Sequence, residues 1–332
     1  MVPACLPTAM WQNFPPHKLK RLCILNSRFV YHSSPNHCHM FTKTKLVILL
    51  LCFAAFLQAQ QPVIPLYKGT APGSENWDWK ETTIPKNSNG LVITHNVVTP
   101  TLTVYTPEAG MANGSSLIIC PGGGFHILSM NTEGWDVAAA LVKKGVTCFV
   151  LKYRLAHTLT NDPMQEMMSA IQSGDVDKKM EKTIPLSIAD GKAAIAYVRE
   201  HATELGINPN RIGIMGFSAG GTVAGSAAFN YTPSNKPDFV APVYAYMPAV
   251  LMGTVAADAP PMFLVAASDD QLNLQTNSVD LYTKWNSAKK SAELHLYTKG
   301  GHGFGMRNQN IPTDTWLDRF TDWMGLMGLL KK

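Results

Sequence analysis

One serine in the chain is surrounded by residues that suit it to act as a nucleophile. Ser218 is the centre of the pentapeptide GFSAG, residues 216–220, which has the pattern G-x-S-x-G. The strand-like run RIGIM precedes this pentapeptide, and a run of small residues follows it. Because the two glycines carry no Cβ atom, the chain can turn sharply there and expose the serine Oγ. The pattern predicts a nucleophilic Ser218; the alternative is a structural Gly-Ser turn.

A serine hydroxyl is a weak nucleophile unless a base takes its proton. His302 is flanked by glycines within residues 300–303 and follows the last strand-like run, so we predict that it is this base. The alternative is an ordinary histidine of a surface loop. Other histidines fit less well, because His126 precedes the serine, His201 lies in a predicted helix and His295 lies in mid-strand.

Two adjacent acids could supply the carboxylate that orients the base. Asp269 and Asp270 follow the run PMFLVAAS and lie between Ser218 and His302 along the chain. A carboxylate beside the imidazole fixes its tautomer and stabilises the imidazolium. Residue type and position leave the choice between the two acids open, and the other acid would cap the following helix.

The run PGGGF, residues 121–125, follows the strand-like run SLIIC. Consecutive glycines allow backbone N–H groups to converge on a developing negative charge without hindrance from side chains. The alternatives are a plain glycine turn and a phosphate-binding loop. A phosphate loop would have Lys followed by Ser or Thr after the glycines, and no such pair follows here.

Strand-like and helix-like runs alternate along the rest of the chain. The strand-like runs are 91–98, 101–107, 116–120, 147–155, 211–217, 239–246, 261–268 and 292–299. The helix-like runs are 136–144, 187–205, 218–229, 273–290 and 313–330. This alternation predicts an α/β fold with a mostly parallel central sheet and helices on both faces, opened by an antiparallel pair of the first two runs. The polar, Met-rich segment 158–183 is expected to be an ordinary surface helix and loop, with a lid over the site as the alternative.

The beginning of the chain has the composition of a targeting segment. The apolar run at 46–57 follows Lys43 and Lys45 and is itself followed by a small polar stretch. This arrangement is typical of a secretory signal peptide, and the run is too short for a membrane span of about 20 residues. We therefore expect a secreted or periplasmic protein without a membrane anchor after removal of the signal.

The same segment sets the expected domain limits. Residues 40–59 are predicted to be the signal peptide, with Met40 as the true start and residues 1–39 as a non-native upstream extension. Residues 60–332 are predicted to be a single domain of this α/β class. This length is sufficient for one sizeable hydrophobic core.

Charge and cysteine content exclude several classes of partner. The chain has a net charge of +5, but residues 1–59 hold six Lys and Arg and no acid, so residues 60–332 carry −1. A nearly neutral body gives no electrostatic reason to expect nucleic acid or an anionic membrane as partner. Beyond residue 59 the cysteines are Cys120 and Cys148, which are expected to be buried thiols of strands without the spacing of a metal site. No metal and no cofactor is expected.

Together, several segments resemble bacterial esterases of the α/β-hydrolase fold. These segments are PGGGF, EGWDVA (133–138), FVLKYRL (149–155), NPNRIGIMGFSAGG (208–221) and ELHLYTKGGHGFGM (293–306). The chain is similar over residues 62–330 to the carbohydrate esterases that include acetyl xylan esterases and feruloyl esterase-like enzymes. The resemblance implies the α/β-hydrolase fold and no cofactor.

The resemblance also implies roles for particular residues. Ser218 would be the nucleophile and His302 the base. The family often has D-P-x-V after the penultimate strand, with the acid before the proline. Asp270 followed by Gln271 takes that place here, which favours Asp270 over Asp269. The implied oxyanion hole consists of the amides of Gly123, Gly124 and Ala219.

The function implied by the resemblance is hydrolysis of acyl esters, in particular acetyl esters, of carbohydrates such as xylan fragments. The substrate would be a small-molecule or oligosaccharide ester. One alternative is a serine peptidase of the prolyl-peptidase type, which usually carries a large additional domain. The other is a non-catalytic carbohydrate-binding protein, which would not need Ser, Asp and His in this order.

Overall fold

A computed structural model of the chain describes residues 61–87, 89–174 and 180–332. The predicted extension at 1–39 and the predicted signal peptide at 40–59 lie outside these residues. In the described part, no helix combines the length and the apolar character that crossing a membrane requires.

Eleven strands and six α-helices form the described part of the chain. The strands are β1 (Val63–Pro65), β2 (Thr82–Ile84), β3 (Ile93–His95), β4 (Thr101–Tyr105), β5 (Ser116–Cys120), β6 (Ile127–Ser129), β7 (Thr147–Lys152), β8 (Ile212–Phe217), β9 (Phe239–Val243), β10 (Met262–Ala267) and β11 (Ala292–Tyr297). The helices are α1 (Asp136–Val142), α2 (Pro163–Ser173), α3 (Thr183–Glu200), α4 (Ala219–Ala227), α5 (Gln275–Ser287) and α6 (Trp316–Leu326).

The main sheet has eight strands in the order β1-β4-β7-β5-β8-β9-β10-β11. The six strands from β7 to β11 in this order are parallel, whereas β1 and β4 form an antiparallel edge. Every residue of β5, β8, β9 and β10 is buried, as expected for parallel strands that are covered by helices. The predicted α/β fold with a mostly parallel central sheet is confirmed.

A second, antiparallel sheet has the order β2-β3-β6. The predicted antiparallel pairing of runs 91–98 and 101–107 is therefore wrong. Strand β3 pairs with β2 and β6, whereas β4 pairs with β1 and β7. The chain changes direction between them at Asn96, whose φ of 58° lies in the left-handed region.

Three predicted element limits shift for local reasons. Strand β9 ends before Tyr244, whose φ of 35° is incompatible with an extended strand. Helix α3 begins at Thr183 rather than at 187, because Pro185 lies in the first turn, where its missing N–H is not needed. The predicted helix 313–330 is a 3₁₀ turn, Pro312–Thr315, followed by α6. Cys120 and Cys148 are buried free thiols, as predicted.

A buried ion pair helps to anchor the beginning of the described chain to helix α3. The Arg154 guanidinium contacts the Asp190 carboxylate, with Nη2 2.7 Å from Oδ1, and both side chains are almost completely buried. Tyr67 donates its hydroxyl to the same Oδ1 at 2.8 Å. Burial raises the pKa of Asp190, and the adjacent Arg154 acts in the opposite direction. This cluster anchors the segment around Tyr67 to helix α3.

Candidate active site

The predicted nucleophile lies on a strained turn between β8 and α4. Ser218 has φ 51° and ψ −114°, a conformation that residues with a Cβ rarely adopt. A Cβ atom on Gly216 would lie 1.9 Å from the Gly220 carbonyl oxygen, and one on Gly220 would lie 2.0 Å from the Cys120 carbonyl oxygen. The turn therefore requires glycine at both positions, as the G-x-S-x-G pattern predicts.

The structure brings Ser218, His302 and Asp270 together at the carboxyl edge of the main sheet. His302 Nε2 lies 2.8 Å from Ser218 Oγ, and His302 Nδ1 lies 2.8 Å from Asp270 Oδ2. The imidazole is 12 % exposed, whereas the Asp270 side chain is fully buried. A hydroxyl, an imidazole and a buried carboxylate in this chain of hydrogen bonds can activate the serine for attack.

The neighbouring acid has a different position. Asp269 is exposed, and its Oδ1 accepts a hydrogen bond from the Gly301 amide at 2.8 Å. It therefore holds the backbone of the histidine loop and does not contact the imidazole. Gln271, for which no role was predicted, accepts a hydrogen bond from the His302 amide through Oε1 at 2.9 Å. Its position directly after the paired acids was the only available indication of this contact.

The other candidate histidines have partners elsewhere. His126 Nδ1 lies 3.0 Å from the Gly124 carbonyl oxygen. His201 Nδ1 lies 2.9 Å from the carbonyl oxygen of Tyr197 one turn earlier in the chain. His295 Nε2 lies 2.7 Å from a carboxylate oxygen of Glu293. None of these contacts involves Ser218.

The glycine turn after β5 presents free backbone amides beside the serine. Gly123 has φ 138°, and a Cβ atom there would lie 2.3 Å from the Ile127 carbonyl oxygen, so only glycine fits. Within the described residues, the amides of Gly123, Gly124 and Ala219 have no protein acceptor, and all three residues line the same cavity as Ser218. The Ala219 amide is free because it is at the N-terminus of α4. These amides can stabilise a negative oxygen next to Ser218.

The cavity above Ser218 and His302 has a volume of about 460 Å³. Helix α2 forms one wall of it with four apolar side chains: Met164, Met167, Met168 and Ile171. A Cβ atom on Gly124 would lie 3.0 Å from the Met167 sulfur, so this methionine packs directly over the glycine turn. The expectation of an ordinary surface helix within 158–183 is therefore wrong, because the apolar stripe of α2 faces the cavity.

The polar lining of the cavity beyond Ser218 and His302 includes Thr132, Glu133, Tyr246, Gln271 and Arg307. Arg307 donates a hydrogen bond through Nη2 to the Gly303 carbonyl oxygen and so packs against the histidine loop. Within the described ranges, no group of three or more His, Cys, Asp or Glu side chains is arranged to hold a metal ion.

Known proteins with similar sequences or structures include esterases and other hydrolases. The BD-FAE family model matches residues 164–241. An acetylxylan esterase of Xylanibacter ruminicola is 27 % identical over 242 residues, which is 64 % of this chain and 45 % of that protein. The chain spans less than half the length of each sequence relative it matches.

Solved structures share the fold. An acetyl ester-xyloside bifunctional hydrolase from Caldicellulosiruptor lactoaceticus superimposes with a TM-score of 0.60 and 23 % identity, over 81 % of this chain and 97 % of that one. Thermogutta terrifontis esterase 2 phosphorylated by paraoxon has a TM-score of 0.57 and 19 % identity, over 76 % and 95 % of the two chains. At this identity the likeness establishes the fold, and the activity must be argued from the site.

Proposed function

Since the chain has the α/β-hydrolase fold and is similar to carbohydrate esterases, we propose that it is a serine esterase that hydrolyses acyl, in particular acetyl, esters of carbohydrates. The observation that carries this proposal is the hydrogen-bonded series Ser218, His302 and Asp270 beside free amides. The acetylated carbohydrate substrate is supported by the similarity to an acetylxylan esterase.

In the first half of the proposed reaction, Ser218 Oγ attacks the ester carbonyl carbon while His302 Nε2 takes the hydroxyl proton. Asp270 holds the Nδ1–H tautomer and stabilises the imidazolium that forms. The amides of Gly123, Gly124 and Ala219 donate hydrogen bonds to the carbonyl oxygen as it becomes negative. The carbon–oxygen bond to the sugar then breaks, and His302 gives its proton to the departing alcohol.

In the second half, water attacks the acyl group on Ser218. His302 takes a proton from this water and returns it to Ser218 Oγ as the acyl–serine bond breaks. The acid leaves, and the starting enzyme is restored. The proton transfers between Ser218 and His302 use atoms that lie 2.8 Å apart in the structure.

Two other functions, peptide cleavage and carbohydrate binding without catalysis, would give different results in an activity assay. A serine peptidase on this fold would cleave peptide amides with the same nucleophile, whereas the sequence relatives include an acetylxylan esterase. A carbohydrate-binding protein without activity would bind xylan fragments and leave their ester bonds intact. The described site argues against the second, because simple binding does not require a serine on a strained turn next to an imidazole.

A substrate panel tests the proposal. We expect release of acetate from acetylated xylo-oligosaccharides and of p-nitrophenol from p-nitrophenyl acetate, because both leave an acyl group small enough for the cavity. Feruloyl esters and peptide p-nitroanilides serve as comparison substrates, and product release is followed by chromatography and absorbance. Faster cleavage of the anilides than of the esters would reject the esterase in favour of the peptidase, and no hydrolysis of any substrate would reject both.

We also propose that the protein is exported, on the basis of the apolar run at 46–57 and the lysines before it. Expression of residues 40–332, from the predicted start Met40, in a bacterial host with a Sec pathway is expected to give a processed product whose N-terminus lies close to residue 60. Mass spectrometry of the intact protein in the periplasmic and cytoplasmic fractions measures this. A full-length product confined to the cytoplasm would contradict export.

A further inference from the structure

A buried carboxylate that is not part of the triad lies directly behind the glycine turn. Glu133 belongs to a π-helical turn, Asn131–Trp135, and is 5 % exposed. Its Oε2 accepts a hydrogen bond from the Gly122 amide at 2.8 Å. A Cβ atom on Gly122 would lie 3.1 Å from the Ser218 Cβ, so this amide is next to the nucleophile. Glu133 thus holds the glycine turn through the Gly122 amide, and it also lines the cavity.

The second oxygen of the same carboxylate reaches the loop that carries the base. Tyr244 donates its hydroxyl to Glu133 Oε1 at 2.8 Å and accepts a hydrogen bond from the Gly305 amide at 3.0 Å. The Tyr244 ring also meets the His302 imidazole edge to face, with ring centres 5.1 Å apart. Glu133 therefore contacts the glycine turn beside Ser218 directly and reaches the loop of His302 through the Tyr244 hydroxyl.

Burial of a carboxylate costs free energy unless hydrogen bonds or an opposite charge compensate it. Burial raises the pKa of the Glu133 carboxyl, and the hydrogen bonds from Tyr244 and Gly122 act against that rise. Among the described residues, Glu133 takes part in no ion pair of the kind that Asp190 forms with Arg154. Both of its hydrogen-bond partners are donors, so both carboxylate oxygens act as acceptors. Its contacts go to the two loops that must stay in register for the chemistry.

We propose that Glu133, acting through Tyr244, is a positioning residue. It fixes the glycine turn after β5 relative to the loop that carries His302. The inference rests on the proposed esterase function, because it concerns the geometry of that reaction. A displacement of about 1 Å between reacting groups can reduce a rate by about 100-fold. Loss of this connection is therefore expected to lower kcat more than it changes KM.

Two substitutions test the connection from its two ends. Glu133→Gln keeps one acceptor but turns an amide group toward the Tyr244 hydroxyl, and Tyr244→Phe removes that hydroxyl and leaves the Gly305 amide without its acceptor. We expect each to lower kcat for p-nitrophenyl acetate by about 10- to 100-fold. KM is expected to stay within about threefold, because neither side chain binds the substrate ester in the proposed reaction. The kcat of the double variant is expected to equal that of the single variant with the larger loss, because both changes break the same chain of hydrogen bonds.

Tyr67→Phe is the matched control. Tyr67 also donates its hydroxyl to a buried carboxylate at 2.8 Å, but that carboxylate, Asp190, belongs to the ion pair with Arg154 and lines no part of the cavity. We expect Tyr67→Phe to lower the thermal midpoint by an amount similar to that of Tyr244→Phe while kcat stays at the wild-type value. The same loss of kcat in both tyrosine variants would overturn the proposal, since it would then reflect general loosening of the fold.

The outcomes separate this inference from the proposed function. No ester hydrolysis by the wild-type protein would reject the esterase itself. An active wild-type protein together with wild-type kcat in Tyr244→Phe would reject the positioning role alone. Losses of kcat that multiply in the double variant would also reject it, because independent defects multiply. Where Glu133→Gln does not fold, the kcat of Tyr244→Phe against Tyr67→Phe decides the matter.

Discussion

Replacement of Ser218 by alanine is expected to reduce kcat for p-nitrophenyl acetate by about 10⁵- to 10⁶-fold. The Oγ atom that lies 2.8 Å from His302 Nε2 forms the acyl bond in the proposed reaction, and no other hydroxyl in the described residues has this contact. Alanine has the same Cβ as serine, so the turn at φ 51° is disturbed no more than in the parent protein. The fold and the thermal midpoint should therefore be retained.

The measurement is kcat together with labelling by a fluorophosphonate and peptide mapping. The wild-type protein is expected to carry the label on Ser218, and Ser218→Ala is expected to remain unlabelled. Ser226→Ala is the control for the same change of residue type, because Ser226 lies in helix α4, which follows Ser218, is buried and does not line the cavity. Full activity in Ser218→Ala, or a label on another residue, would remove the proposed mechanism.

The position of the candidate site could be predicted from the sequence because its parts follow strands that run parallel. Ser218 follows β8, Asp270 follows β10 and His302 follows β11, and the carboxyl ends of these strands meet at one edge of the sheet. The order of the motifs along the chain was therefore sufficient to place the side chains near each other. Their hydrogen bonds depend on the loop geometry, which the motifs alone do not specify.

The cavity wall could not be predicted from pattern alone. Met164, Met167, Met168 and Ile171 recur at helical spacing, which indicates an amphipathic helix. The spacing does not say whether the apolar stripe faces the protein core or an open cavity. In the structure, Pro163 and Ala170 are the buried residues of α2, and the methionine stripe lines the cavity.

The antiparallel pair predicted near the start was wrong for a similar reason. Runs 91–98 and 101–107 each have strand-like composition, and a short connection favours pairing of neighbours. Asn96 is in the left-handed region, and its side chain accepts a hydrogen bond from the Thr158 amide at 2.7 Å. This contact, between residues 62 positions apart in sequence, diverts the chain into a different sheet. A local pattern contains no information about such a partner.

The two adjacent acids should differ in effect by about three orders of magnitude when each is replaced by asparagine. Asn at position 270 can place its amide group against His302 Nδ1, which favours the tautomer with the proton on Nε2. That tautomer cannot take the proton of Ser218, and kcat is expected to fall by about 10⁴-fold. Asn at position 269 keeps an oxygen that can accept the hydrogen bond from the Gly301 amide, so a loss of less than about 10-fold is expected.

The pair Asp269→Asn and Asp270→Asn is its own control, because the change in charge and volume is the same at both positions. The measurement is kcat for p-nitrophenyl acetate, with KM and the thermal midpoint recorded for each variant. A larger loss at position 269 would contradict the contact between Asp270 Oδ2 and His302 Nδ1, which lies at 2.8 Å in the structure. Equal small losses would mean that no carboxylate orients the base. The expected asymmetry follows from burial, because the Asp270 side chain is fully enclosed, whereas Asp269 is exposed to water that can replace its lost contacts.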